Sequence, residues 1–377
     1  ALGNGNPCMK LAIVRQTYNP NGGAERFVSR ALNVLAQDTS LDVTLIARQW
    51  EDAAGWKTLT VNPPFRNRIA RESGFALEAA AHFAQFDIVQ SHERIPGATI
   101  FRAGDGVHAT WLEQYGRILS PLARWAQSLS RYHRYILQAE AQMFTHPQLR
   151  KVICNSKMVR DDIARRFGLP DDKLTVIYNG VDTVQFSPEV RALSQRDVLG
   201  IPPDAPVLAY VGSGFSRKGV ATALRAIVAH PDVWLLIAGR DKHARKFEKL
   251  AQALGISSRV KFLGPVANVR EVYGTADALI LPTLYDPFPN VCVEALACGL
   301  PLLTSHGCGA AEWITEGQNG WVRDALDSEG YQQAISLWLK GREQGVDYSA
   351  AARATAEPFT LDRMAKELQA LYRDLLR

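Results

Sequence analysis

The chain has 377 residues, 47% of them hydrophobic and 21% charged, with a formal net charge of +5. That length exceeds most single cores, and those proportions belong to a soluble globular protein, so disorder and coiled coil are disfavoured. The mild basicity permits an anionic partner, whether nucleotide phosphate, acidic lipid or nucleic acid, without choosing among them.

Chain order is read from "ALGNGNPC", which lacks the charged-then-apolar order of a signal peptide. Met9 directly precedes a strand, so residues 1–8 read as a remnant ahead of the natural start. "KLAIVRQTY" (10–18) is a buried parallel strand, "NPNGGAERFVSRALNVLAQD" a glycine turn and amphipathic helix, and "DVTLIAR" the next strand. Strand, helix, strand in that order is a βαβ unit. "FDIVQSH", "KVICNS" and "LTVIYNG" add further strands. After "VDTVQFSPEV" the alternation restarts: "APVLAYVG", helix 218–229, "VWLLIAG", helix 243–254, "VKFLGPV", helix 268–275, "ALILPT", helix 290–298 and "PLLTS". Two such series imply an α/β chain of two doubly wound domains, with the joint near residue 186. The expected domains are 9–186, 187–356 and a closing helical segment 357–377. Ligands collect at the carboxyl ends of strands in open α/β sheets, so two such domains face to face make a cleft.

No apolar run reaches the roughly 18–20 residues of a membrane span. Five cysteines, Cys8, Cys154, Cys292, Cys298 and Cys308, form an odd set without CxxC spacing. A disulfide framework and a zinc site are therefore disfavoured, and a reducing, cytoplasmic compartment is expected.

Two motifs carry chemistry. In "VGSGFSRKGV" a strand ends at Val211, Gly212, Gly214 and Gly219 leave the backbone bare, and Arg217 and Lys218 open a helix. Bare amides at a helix start plus two cations suit a pyrophosphate, although a surface turn with solvated charges would use the same residues. A dinucleotide fold would need GxGxxG and an acidic end to its second strand; here the glycines space as GxGxxxxG and that strand ends "AGR", at Arg240. Hydride chemistry is disfavoured. In "YDPFPNVCVEALACGLP" a helix 290–298 stops at Gly299 with Pro301 beyond. Asn290, Glu294 and Cys298 share one face while Val291, Val293 and Ala297 turn inward. Glu294 can then accept from the vicinal hydroxyls of a ribose, or simply favour the helix dipole.

Asp286 and Glu294 stand as D-x7-E, which resembles the E-x7-E signature of the retaining glycosyltransferases of family 4. The glycine loop with its Arg-Lys pair, the "NPNGGAER" loop and the joint "NGVD" (179–182) match the same family in the same order. Within the family the resemblance is strongest to the lipopolysaccharide-core branch. It implies the GT-B fold, two Rossmann-like domains across a cleft, with the last helix crossing back to the first domain. It implies a nucleoside-diphosphate sugar donor, UDP-glucose favoured, and no cofactor or metal. Residue by residue, Glu294 would hold the ribose and Arg217 and Lys218 the diphosphate. Asp286 would meet donor-sugar hydroxyls with one methylene less reach than the family's Glu. Gly212, Gly214 and Arg240 would also line the donor site. The amides of Asn290 and Val291 would cradle a phosphate, and Gly22 and Gly23 would let a loop of the other domain approach it. Near the anomeric centre the resemblance offers Asp105 or His108, where an Asp-Gly turn residue and a helix-start histidine are the plain alternatives.

No DxD motif occurs, and a departing diphosphate can be stabilised by fixed cations and helix N-termini. No carboxylate presents itself as nucleophile, so the resemblance favours front-face attack by the acceptor hydroxyl. Between Glu113 and Glu140 the chain has no acid but carries Arg117, Arg124, Arg131 and Arg134 among Trp111, Tyr115, Trp125, Tyr132 and Tyr135. Arg117, Arg124 and Arg131 recur every seven residues, as on one helical face. With Trp125 and Arg134 they suggest contact with an anionic membrane surface and hence a glycolipid acceptor at the inner face of the cytoplasmic membrane. A groove for an acidic acceptor would use the same residues. No nucleic-acid module is present. The competing functions are a family 4 enzyme with a small soluble acceptor and a non-catalytic two-lobed sugar-binding protein.

Overall fold

A computed structural model of the chain describes residues 8–18, 32, 33, 35–50 and 56–377. Two compact units emerge: the described residues up to Gly180 together with Leu361–Arg377, and Val181–Thr360. The chain passes from one to the other between Gly180 and Val181 rather than near 186, and Val181 bridges Thr360 where the second unit begins and ends.

In the first unit the strands are β1 (Met9–Val14), β3 (Leu41–Ala47), β5 (Lys57–Thr60), β6 (Ile88–Ser91), β7 (Ile100–Ala103), β8 (Lys151–Cys154) and β9 (Leu174–Val176). They pair in the order β5-β3-β1-β6-β7-β8-β9, every pair parallel. Thr17 and Tyr18, read as the end of the first strand, instead pair with Gln49–Trp50 in a separate ribbon, β2 with β4. The helix Leu361–Leu375 belongs to this unit, burying Met364, Leu368, Leu371 and Tyr372 in one cluster with Leu11, Ile13, Leu45, Ile88 and Ile100. Its Tyr372 hydroxyl donates to Gln90 Oε1 at 2.5 Å.

The second unit holds β10 (Val207–Val211), β11 (Trp234–Ala238), β12 (Val260–Gly264), β13 (Ala278–Leu281), β14 (Leu302–Ser305) and β15 (Gly320–Arg323). They pair in the order β12-β11-β10-β13-β14-β15, again all parallel. Such strands are covered on both faces, which is why they read as unbroken apolar runs: Val207, Leu208, Ala209, Tyr210, Ala278 and Ile280 are all fully buried. Strand order reverses once in each sheet, between β1 and β6 and between β10 and β13. Each reversal leaves a crevice at the carboxyl ends of the strands.

Two expected helices divide. The segment 111–137 is not one amphipathic stretch but parts of three helices, His108–Gly116, Pro121–Ser128 and Arg131–Phe144. Ser120 caps the second from ahead of Pro121, and Ser130 caps the third. Arg124 and Arg131 therefore sit on different helices, Arg117 lies just past the end of another, and the three share no helical face. Likewise Gly219, at φ +87°, separates a one-turn helix Phe215–Lys218 from Val220–Ala226. Arg217 and Lys218 end the first of these rather than opening a helix.

Candidate active site

The crevice of the second unit is built from the exits of β10 and β13. From β10 the chain runs through Gly212 and Gly214 into Phe215–Lys218. From β13 it runs through Pro282 and Asp286 into the helix Asn290–Ala297. Leu284 N donates to the Arg217 carbonyl at 2.9 Å and ties the two exits together. Their approach is close: a Cβ at Gly219 would stand 2.7 Å from the carbonyl carbon of Pro282. Only glycine fits that position. The Asp286 segment is also held from its far side, its amide donating to Gly307 O and its carbonyl accepting from Gly309 N, both at 2.9 Å. A Cβ at Gly307 would meet the Leu284 carbonyl carbon at 2.8 Å, so this clamp too depends on a bare backbone.

These restraints bring Lys218 and Asp286, sixty-odd residues apart in sequence, to an ion pair of 3.4 Å between Nζ and Oδ2, each side chain 15% exposed. The Lys218 arm folds back over Gly212; a Cβ there would stand 3.1 Å from its Cδ. The separation is longer than a charge-assisted hydrogen bond, which leaves the ammonium able to turn to a stronger anion. Arg217 lies beside Gly214 at the same loop. Asp241, just past Arg240, accepts from the amides of Phe215 (2.9 Å) and His243 (2.7 Å). This is a residue that sequence reading missed. Its signal was an acid shortly after the second strand, where a dinucleotide fold would offer one to ribose; here it braces the glycine-loop helix instead.

The helix Asn290–Ala297 has Pro289 as N-cap, with no side chain closing its first turn. Asn290, Val291 and Glu294 are half-buried, whereas Val293 and Ala297 are buried. Val291, expected to pack inward, is thus only partly covered, and its carbonyl accepts from Tyr273 Oη at 3.4 Å. Cys298, expected on the face of Asn290 and Glu294, is buried, and its thiol is pushed up to about 12 by desolvation first and then by the Glu294 charge. Cys292 lies 4.0 Å from Cys308, and burial holds its thiol well above the usual range.

The first unit presents a second set of groups at the carboxyl end of β7. Asp105 is exposed in the Gly104–Asp105 turn that follows this strand. His108 starts the next helix and is half-buried; its Nε2 lies 3.1 Å from His133 Nδ1 and its ring stacks on Trp111. Burial, reinforced by Arg94, His133 and Arg68, pushes its imidazole down to about 3, so it is neutral at physiological pH. Glu140 organises this corner, and sequence reading missed it because its partners are remote in the chain. Fully buried, it accepts from His108 N (2.8 Å), Ala109 N (3.4 Å) and Arg94 Nε (2.9 Å). Arg94 in turn donates to Gly106 O at 3.2 Å, which fixes the loop bearing Asp105. Gly22 and Gly23 lie outside the described residues.

Arg117, Arg124, Arg131 and Arg134 are all exposed. The helix Pro121–Ser128 buries no side chain, and Leu122 (73%), Trp125 (61%) and Leu129 (48%) form an exposed apolar row along it and its cap. No helix among the described residues is long and apolar enough to cross a membrane.

Comparison with known proteins follows the same division into units. Residues 21–185 match the model of Glycosyltransferase Family 4, and residues 193–355 that of Glycosyl transferases group 1. The chain belongs to the family 4 glycosyltransferases. Among curated relatives, the lipopolysaccharide glucosyltransferase WaaG of Escherichia coli is 26% identical over 83% of this chain and 85% of its own length. An uncharacterized glycosyltransferase of Methanocaldococcus jannaschii is 30% identical over 59% of this chain, which spans 60% of that relative. The crystal structure of WaaG covers 95% of this glycosyltransferase and 98% of its own chain, with TM-score 0.78 and 23% identity. That likeness places the two Rossmann-like units in the GT-B fold. The structure of Anabaena HepE in complex with UDP-glucose has the same fold, with TM-score 0.73 and 19% identity over 97% of this chain and 100% of its own.

Proposed function

We propose that this glycosyltransferase moves a hexose, with retention and without a metal, from a nucleoside-diphosphate sugar to a lipid-linked acceptor. UDP-glucose is the leading donor and a lipopolysaccharide core the leading acceptor. The observation that carries the reading is the Lys218–Asp286 pair at the crevice between β10 and β13. It joins a cation for the departing diphosphate to a carboxylate for sugar hydroxyls, at the exits of two neighbouring strands. WaaG, similar along most of the chain, acts in lipopolysaccharide synthesis, and HepE binds UDP-glucose, which supports the choice of substrates.

In this reading Arg217, Lys218 and Arg240 gather the diphosphate charge together with Gly212, Gly214 and the amides of Asn290 and Val291. Glu294 accepts from the ribose hydroxyls. Asp286, relieved of Lys218 as the ammonium turns to phosphate, accepts from the sugar. Asp105, or neutral His108 beside it, is the group that this reading assigns to the anomeric carbon, as the family resemblance implies. The acceptor hydroxyl attacks the anomeric carbon on the face the diphosphate leaves, the sugar–phosphate bond breaks, and a phosphate oxygen takes the acceptor's proton. Fixed cations do the work a divalent ion does elsewhere, so chelation by EDTA leaves turnover unchanged.

The exposed Leu122, Trp125 and Leu129 with the arginines around them support docking on the anionic inner face of the cytoplasmic membrane. They favour a glycolipid over a small soluble acceptor, and membership of a glycosyltransferase family disfavours a binding protein without chemistry. Transfer of radiolabel from UDP-glucose, GDP-mannose and UDP-N-acetylglucosamine to membrane extract tests the reading. Label in the lipid fraction with release of nucleoside diphosphate supports it; binding without release from any donor refutes it.

A further inference from the structure

Beneath the glycine loop lies a buried phenol. Tyr210 is fully buried in β10, and its hydroxyl has no hydrogen-bond partner among the described residues. Its ring is held in place by Phe215, which meets it edge-on at 5.7 Å and is itself met edge-on by Phe247 at 5.6 Å. The hydroxyl points toward Gly212: a Cβ at that glycine would lie 3.5 Å from Tyr210 Oη, 3.1 Å from Lys218 Cδ and 3.6 Å from Lys218 Nζ. Phenol and ammonium thus border one small volume that only a glycine leaves open. They are not bonded to each other, because Lys218 reaches instead toward Asp286. A second buried hydroxyl without a partner among the described residues, Thr283 Oγ1, follows β13 on the other side of the same crevice. Desolvation raises the phenol's pKa against the opposing pull of Arg217, so it remains an O–H donor.

A buried hydroxyl has a donor and an acceptor to satisfy, and leaving both unmet is costly. An ammonium and a phosphate oxygen satisfy both at once. We infer that Tyr210 is a positioning residue that holds Lys218 at the donor's diphosphate, its oxygen accepting from the ammonium and its hydrogen donated to a phosphate oxygen. This deepens the donor-site reading above and rests on it. Without donor, Lys218 is parked on Asp286 and the phenol is idle. With donor bound, the phenol fixes the cation where negative charge develops as the sugar leaves.

Four proteins test this: the parent chain, Tyr210→Phe, Tyr210→Gln, and Tyr331→Phe, which removes a buried phenol that also lacks a partner among the described residues, from different surroundings. Each is melted with and without UDP, ADP and GDP, and assayed for kcat and donor KM with the nucleotide sugar the parent uses. Tyr210→Phe is expected to melt no lower than the parent when free. Its nucleotide-induced shift should fall to less than half, and its kcat by about tenfold with a smaller change in KM. Tyr331→Phe should keep the parent's shift and kcat. Tyr210→Gln, which restores a donor and an acceptor, should recover part of both losses and replaces the Phe variant should that one not fold. A parent-like shift and kcat in Tyr210→Phe, or in Tyr210→Gln where only that variant folds, overturns the role of the phenol. A parent chain stabilised by none of the three nucleotides overturns the donor reading itself.

Discussion

Alanine at Gly219 separates a loop that merely turns from one whose backbone must touch another strand. Two penalties add. At φ +87° the new side chain sits in the left-handed region, at about 1–2 kcal/mol for an L residue. Its Cβ also meets Pro282, with the carbonyl carbon and the Cβ of that proline both at 2.7 Å and the carbonyl oxygen nearer. Ordinary carbon–carbon contact is about 3.5–4.0 Å, so the exits of β10 and β13 must part by about 1 Å. Neither atom belongs to a flexible side chain, and overpacking of this kind costs about 1–3 kcal/mol. The sum is about 2–5 kcal/mol, or a fall in Tm of about 4–20 °C at about 2–4 °C per kcal/mol for a unit of this size. Calorimetry on the intact chain reads the fall directly. The same parting breaks the Leu284–Arg217 tie, so nucleotide affinity should drop alongside stability. A variant melting within about 1 °C of the parent, with unchanged nucleotide binding, would refute the account of how the crevice is held together.

Lys218→Ala and Asp286→Asn should each lower kcat by about a hundredfold while Tm moves by under about 3 °C, since their 3.4 Å pair is loose; equal loss of stability and turnover would argue for a structural pair. Replacing Leu122 and Trp125 by Ser and Arg124 by Glu should release the protein from anionic vesicles in sedimentation without changing Tm, because Leu122 and Trp125 are mostly solvent-facing and Arg124 is exposed. Retained binding would count against membrane docking by this helix. Asp277 is drawn on by three guanidinium groups, Arg191 (2.6 Å), Arg196 (3.0 Å) and Arg342 (3.5 Å). Burial alone would raise its carboxyl pKa, but Arg342, Arg191, the Val207 amide and Arg196 together lower it. A depressed carboxyl stabilises the fold above the unfolded value near 3.9 and loses that effect as pH falls through the folded pKa. Asp277→Asn should therefore cost about 3 kcal/mol at pH 7 in urea unfolding and flatten the loss of stability below about pH 4. An acid limb as steep as the parent's would refute the assignment.

Most of the architecture was legible before any coordinates, for a physical reason. Parallel strands buried on both faces must be continuous apolar runs, and "APVLAYVG", "VWLLIAG" and "ALILPT" announce β10, β11 and β13 without reference to partners. The motifs were equally plain, since a glycine loop and a D-x7-E spacing are local patterns. What failed was continuity. A seven-residue recurrence of arginines suggested one face, but the capping hydroxyls of Ser120 and Ser130 restart the helix twice, and a recurrence counted along the chain ignores such breaks.

The sequence by itself determined the βα alternation, the two sheets and the residue types gathered after particular strands, because each of those depends on neighbours in the chain. Only the tertiary structure decided which of them meet. Lys218 reaches Asp286 because β10 and β13 are adjacent in the sheet though not in the chain, Asp241 serves a loop amide, and Tyr210 is left with an unmet hydroxyl. Those are outcomes of strand order and close packing, and neither is written in the spacing of residues.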